Sequence, residues 1–165
     1  MVYNAIGQSA QPIISYNFGA GREDRVHAAY RLALKAALCF GLLFCVFTAL
    51  FRYEIVGMFI DTAYPAYGIA VEGIPLFAIG FIFFAVNIVS IVYFQSVERA
   101  VDATWVTVMR GFVFMALCFL LLPGVLDVPG IWLAVPLAEL LTTMLVFTIY
   151  FRRKRKRRRE ALGSM

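Results

Sequence analysis

Charge is scarce in this chain, and so is the chemistry that usually accompanies it. Of its 165 residues only 15% are Asp, Glu, Lys or Arg, against 62% hydrophobic, with a mean hydropathy of +0.83. A soluble domain carries about 25% charged and about 45–50% apolar residues, so one soluble core is excluded and the expected solvent is a bilayer. There is a single histidine, His27, and no aspartate deep in an apolar run. An enzyme needs converging acids, bases or metal ligands, so no catalytic residues, metal site or cofactor are expected. Cys39, Cys45 and Cys118 are odd in number, sit inside apolar runs and form no CxxC pair. That argues against a disulfide framework or zinc site and for small apolar packing residues. Met1 is followed by amides and aromatics rather than a basic region and apolar core, so no signal peptide is read there.

What remains is long apolar sequence. A hydrocarbon core about 30 Å thick takes roughly 20 helical residues to cross. Four stretches qualify, at about 28–51, 73–94, 103–122 and 131–151. A shorter, more polar helix at 2–18 precedes them, and a basic tail occupies 152–165. The fold class expected is an all-α integral membrane protein, a bundle of four full spans preceded by a partial one. Arg22, Arg25, Arg31, Lys35, Arg99 and the run Arg152–Arg159 fall on one side, and Arg52 alone on the other. Lys and Arg gather on the cytoplasmic side, so the C-terminus is expected in the cytoplasm of a plasma (inner) membrane, with Arg52–Tyr67 and Pro123–Gly130 as external loops. Directly after a span, FRRKRKRRRE is an anchor on membrane lipid headgroups rather than a nucleic-acid patch.

Asn4, Gln8, Gln11 and Ser15 are spaced i, i+4, i+7, i+11 and make one polar stripe on the opening helix. Amides facing lipid tails are costly, so the stripe should face other helices, as interhelical glue, or a water-filled cavity. Gly19-Ala20-Gly21 lacks the Gly-Lys-Ser/Thr of a phosphate loop and reads as a helix end.

In order along the chain, QPIISYNFGAGREDRV resembles the loop that ends the second helix of each half in the multidrug and toxic compound extrusion (MATE) transporters. FRYEIVGMFIDTAYPAYGIAVEGIPLF resembles the external loop entering that family's tenth helix, YFQSVERAVDATWVTVMRG its tenth-to-eleventh junction and PGIWLAVPLAELL its twelfth helix. The resemblance implies two six-helix halves around a cleft, with this chain beginning inside the eighth helix and lacking the N-terminal half. It implies secondary active efflux of cationic amphipathic drugs, driven by H+ or Na+. The stripe amides are then expected to face the interior of the C-terminal lobe. Two alternatives stand beside this reading: a lipid-linked polysaccharide flippase of the same superfamily, and a non-transporting membrane subunit or remnant.

Six residues are candidates for the substrate or cation pathway. Gln8 and Gln11 belong to the stripe. Glu139 lies near the middle of the last span, where a carboxylate is by default functional. It either exchanges a proton or cation, or pairs structurally with Arg110. Arg110 reaches the headgroups, pairs with an acid or meets substrate. Asn87 and Phe83 share a face with Gly80 and Phe94, which suits flat cationic drugs through stacking and cation–π contacts; bundle packing with one interhelical hydrogen bond is the other reading. By the resemblance, Asn87 stands where the sodium-coupled branch carries an aspartate, which places doubt on coupling through this position.

Overall fold

The computed structural model describes the backbone of residues 1–163 and the side chains of residues 1–152; the side chains of the basic run beyond Arg152 lie outside the described residues. Every regular element among the described residues is a helix. Helix α1 (Val2–Gly19) ends in a tight turn in which Gly21 adopts φ 70° and the Arg22 amide donates to the Asn17 carbonyl at 2.9 Å. Glycine takes that left-handed conformation without steric cost, which confirms the Gly-Ala-Gly stretch as a helix end.

Helix α2 (Glu23–Leu50) is followed by a short helix α3 (Arg52–Gly57) inside the segment expected to be a loop. The second crossing element begins earlier than the apolar run suggests. Pro65 opens α4 (Pro65–Ala78), as proline does at a first helical turn, and Ile79 separates it from α5 (Gly80–Ser96). Pro75 removes the amide that would bond back to the Val71 carbonyl, weakening the ladder just before the break. Helix α6 (Ala100–Val108) widens into a π-helical turn at Met109–Phe114 and passes into α7 (Met115–Gly163).

Within α7 the chain reverses at Asp127 (φ 52°, ψ −133°). Cys118 is buried with Ala134 and Ala138, and Gly130 lies against the backbone of Leu122 and Pro123. Residues 115–126 and 128–152 are therefore antiparallel arms. The expected Pro123–Gly130 loop is compressed to a reversal centred on one residue.

Three helical stretches, 23–50, 65–96 and 100–152, are long and apolar enough to cross a membrane, and the third does so twice because of the reversal. Small residues let the helices approach closely, as expected where lipid supplies no hydrophobic drive. A side chain at Gly7 would meet Val92 of α5 at 2.9 Å, and one at Gly41 would meet the Phe81 carbonyl at 2.9 Å. At one end of the bundle Ile14, Val26, Phe94, Val97, Ala103 and Val146 form a core. This core gathers the end of α1, the starts of α2 and α6, and the end of the last arm, and so collects Arg22, Arg25, Arg99 and Arg152 at one pole. Arg52 lies at the other.

Candidate functional site

Polar side chains inside apolar helices must find partners in the bundle, and here they find one another. Arg110 lies ten residues past the start of α6, about 15 Å of helix rise, and Glu139 twelve residues past the Asp127 reversal, about 18 Å. Entering from opposite ends, both reach the middle of the bundle. The Arg110 Nε donates to Glu139 Oε1 at 2.7 Å. Asn87 of α5 donates through Nδ2 to Glu139 Oε2 at 2.7 Å and to the Glu139 carbonyl at 2.8 Å. The Thr143 hydroxyl, one turn beyond Glu139, lies 3.0 Å from both the Asn87 Oδ1 and the Glu139 carbonyl. Glu139 is 1% exposed and Asn87 is fully buried.

Local sequence places these groups. Pro136 sits one turn before Glu139 and leaves the Trp132 carbonyl without its helical donor, loosening the arm. The π-helical turn begins one residue before Arg110, and turns of that kind recur at functional positions. The guanidinium lies 5.0 Å from the ring of Phe84, close enough for a cation–π contact, and the Arg110 side chain keeps 22% of its surface exposed. Both carboxylate oxygens of Glu139 are thus taken by donors, one of them a fixed positive charge. Among the described residues no group of three or more His, Cys, Asp or Glu is placed to hold a metal ion.

The six candidates separate into two sets. Asn87, Glu139 and Arg110 come together, and of the two readings of Glu139 the pairing with Arg110 is the one observed. Phe83 does not join them. It lines an apolar cavity of about 550 Å³ with Ile79, Leu122 and Leu137, while its neighbour Phe84 supplies the ring against Arg110. Within this lobe the face shared by Phe83, Asn87 and Phe94 is packed, since Asn87 and Phe94 are core residues with at most 1% exposure. Helical spacing could have pointed to Phe84, three residues before Asn87.

Gln8 and Gln11 require a correction. The buried face of α1 is Tyr3, Gly7, Ile14 and Asn17, whereas Asn4, Gln8 and Ser15 are exposed and Gln11 is half-buried. The stripe does not face the interior of this lobe. Small Gly7 and Ile14 pack against α5 and the basic-pole core, which rotates the amides outward.

A family model described as MatE matches residues 1–121. Among solved structures, an outward-facing multidrug resistance MATE family transporter of the MOP superfamily superimposes with a TM-score of 0.80 at 15% identity, over 96% of this chain and 35% of that one. An inward-facing form of such a transporter gives 0.80 at 14% identity, over 89% and 34%. A MATE protein in complex with MaL6 gives 0.80 at 15% identity, over 96% and 35%. This chain spans about a third of the length of those structures, and at such identities the likeness establishes the fold. No curated protein matches it.

Proposed function

The chain belongs to the MatE family of membrane transporters, and from that premise we propose that it forms most of the C-terminal lobe of a multidrug exporter, working with a second lobe to expel cationic amphipathic drugs in exchange for H+ or Na+. The carrying observation is the contrast between two polar features. The amides of α1 are turned outward, where lipid tails would leave them unsatisfied, while the polar groups at the lobe's centre satisfy one another. An outward polar stripe on a membrane helix calls for water or protein beside it, and binding sites of repeat-built transporters lie between their halves near the midplane. Gln8 and Gln11 are therefore proposed as part of the drug-facing wall. The basic pole is proposed to face the cytoplasm, which follows from the bias of Lys and Arg to that side.

In this reading Glu139 and Arg110 form a joint between the last arm and the π-helical turn, and the coupling carboxylate lies in the rest of the transporter. The flippase alternative draws on intramembrane arginines for pyrophosphate recognition. Among the described arginines Arg110 is the one that approaches the membrane interior, and its Nε is committed to Glu139, which favours the drug reading.

Efflux of a fluorescent lipophilic cation from cells lacking their own exporters tests the proposal. The chain alone is expected to give no efflux above background, because a cleft between two lobes cannot alternate access with one of them. Co-expression with the remainder of the transporter, the second lobe together with the part of this lobe that precedes α1, should restore it. Full transport by this chain alone would sink the two-lobe reading. In the restored system Gln8→Leu and Gln11→Leu should change the ratio of efflux between two drugs by roughly three- to tenfold, the worth of one hydrogen bond. Protein level should not change, since Gln8 is exposed and Gln11 half-buried. An equal fall for every drug, in step with protein level, would show the amides to be structural.

A further inference from the structure

Charges on α2 and α4 mark one edge of the bilayer. No Asp, Glu, Lys or Arg stands between Lys35 and Arg52, or between Glu72 and Glu98. Gly41 of α2 lies against the Phe81 carbonyl of α5. From there Leu50 is nine residues onward and Glu72 nine residues back, each about 14 Å of helix rise. Leu50 and Glu72 therefore stand at one level, and Arg52 and Glu72 bound the hydrocarbon at the pole opposite the basic one. The headgroup layer beyond that boundary is about 5–8 Å thick. Tyr67 is five residues past Glu72, about 8 Å further out. Its hydroxyl donates to the Tyr53 carbonyl at 3.2 Å, and a Cβ on Gly57 would meet its ring at 3.9 Å. Helix α3 is thereby held at headgroup depth.

Apolar side chains project from the segment at that depth. Met58 is 80% and Phe59 83% exposed, and Tyr53 and Tyr64 are exposed on either side of them in sequence. The turn that carries them satisfies its own backbone. The Phe59 and Ile60 amides donate to the Val56 carbonyl at 3.0 and 2.9 Å, and the Ala63 amide donates to Asp61 Oδ1 at 2.9 Å. Backbone groups paired in this way can approach hydrocarbon without loss. The segment also continues an apolar surface of α2. Leu43, Phe47, Leu50 and Phe51 are exposed at spacings i, i+4, i+7 and i+8, and the Phe47 and Phe51 rings lie 4.7 Å apart. At its end Arg52 donates to the Tyr53 hydroxyl at 3.1 Å, with its guanidinium 4.9 Å from that ring. A tyrosine with an apolar body and a polar tip suits the membrane–water interface.

We propose that Tyr53, Met58, Phe59 and Tyr64 form a lipid anchor, inserted into the headgroup layer and upper acyl region of the leaflet opposite the basic pole. The expected loop is then a membrane-binding element that fixes the depth of the α2–α4 junction. The proposal requires only that α2 crosses a bilayer and does not depend on what is transported. A partner lobe is disfavoured as the occupant, because the α2 surface running into the segment is apolar throughout, unlike the amide-bearing face of α1.

The test uses the complete 165-residue chain, with Cys39, Cys45 and Cys118 replaced by alanine, in phosphatidylcholine vesicles. A nitroxide label is attached at Met58→Cys, Phe59→Cys or Tyr64→Cys, with Leu43→Cys as the hydrocarbon reference. Depth is read from collision with oxygen, which partitions into lipid, against a water-soluble nickel chelate. Oxygen collisions are expected to dominate at positions 58 and 59, with a depth shallower than at position 43. Replacing Met58 and Phe59 together by aspartate should move the Tyr64→Cys label toward water, so that nickel collisions gain on oxygen. Circular dichroism verifies the fold of each variant. Nickel-dominated labels at both 58 and 59, with position 43 still in lipid, would overturn the proposal. So would exclusion of both colliders at 58 and 59, which would assign the face to a second copy of the chain. An unmoved Tyr64→Cys label in the aspartate variant would show that Met58 and Phe59 do not anchor the segment.

Discussion

Arg110→Ala is expected to destabilise the lobe by about 3 kcal/mol, toward the lower end of the roughly 3–5 kcal/mol that breaking a buried ion pair costs. The low end applies because Arg110 keeps 22% of its surface exposed. The loss comes from the partner left behind. Glu139 is 1% exposed and would retain only the Asn87 amide as a donor to its carboxylate. Glu139→Gln should be milder, because the side-chain carbonyl still accepts from Arg110 or Asn87 and no carboxylate is stranded. Arg110→Lys should recover only part of the loss, since a point-charge ammonium lacks the planar contact on Phe84. Combining Arg110→Ala with Glu139→Ala should cost less than the two changes added, and the difference measures the coupling. The readout is reversible unfolding of purified lobe in mixed micelles. Additive effects would show that the pair is not a joint. In the two-lobe assay, Glu139→Gln should retain the H+ or Na+ dependence of wild type if coupling resides elsewhere. Loss of that dependence at normal protein level would return Glu139 to the coupling role.

The second large effect is expected at the reversal. A Cβ on Gly130 would overlap the backbone carbonyl of Leu122, and backbone cannot swing aside as a long side chain can. Gly130→Ala should therefore force the two arms apart at a cost of about 1–3 kcal/mol or more, despite alanine's better helix propensity of roughly 1 kcal/mol. Gly124→Ala, where nothing lies within 4 Å of the added carbon, is the control and should be neutral or mildly stabilising. Gly73 offers an independent case, because its Cβ would overlap the indole of Trp132. Gly73→Ala should be destabilising in a Trp132 background and substantially relieved by Trp132→Leu. Thermal aggregation in detergent checks all four variants. Equal midpoints for Gly130→Ala and Gly124→Ala would contradict the close approach of the arms.

These two regions also show what could and could not be read from residues alone. The spans were legible because an apolar run long enough to cross a bilayer has few other uses, and four runs at the observed places sufficed to call an all-helical membrane bundle. Boundaries failed where local chemistry outweighed hydropathy. Pro65 extends the second span outward, Pro75 prepares its break, and the connection at Pro123–Gly130 closes on Asp127 because Gly130 permits backbone contact there. The π-helical turn at Met109–Phe114 has no residue signature, since it differs from an α-helix by one hydrogen-bond register rather than by composition.

At the site, Asn87, Arg110 and Glu139 stood out because polar groups in apolar spans are conspicuous. Which aromatic would meet Arg110 was not legible, since choosing Phe84 over Phe83 depends on how α5 is rotated against the π-helical turn. The α1 stripe shows the same limit from the other side. Periodicity assembled Asn4, Gln8, Gln11 and Ser15 on one face, but not the direction of that face. Direction followed from Gly7, whose missing side chain admits Val92 and makes the adjacent face the buried one.

The contrast between a sealed centre and an outward amide face is most directly tested by thiol accessibility. In a background with Cys39, Cys45 and Cys118 replaced, single cysteines are placed at Gln8, Gln11, Asn87 and Thr143 with both lobes assembled in the membrane, and each is exposed to a small, water-soluble, membrane-impermeant thiol reagent. Rapid labelling is expected at Gln8 and Gln11, slowed by a transported drug, with Asn87 and Thr143 protected. Labelling at Asn87 and Thr143 with protection at Gln8 and Gln11 would contradict the account, placing the water-filled path through the centre of the lobe and the α1 amides against protein or lipid.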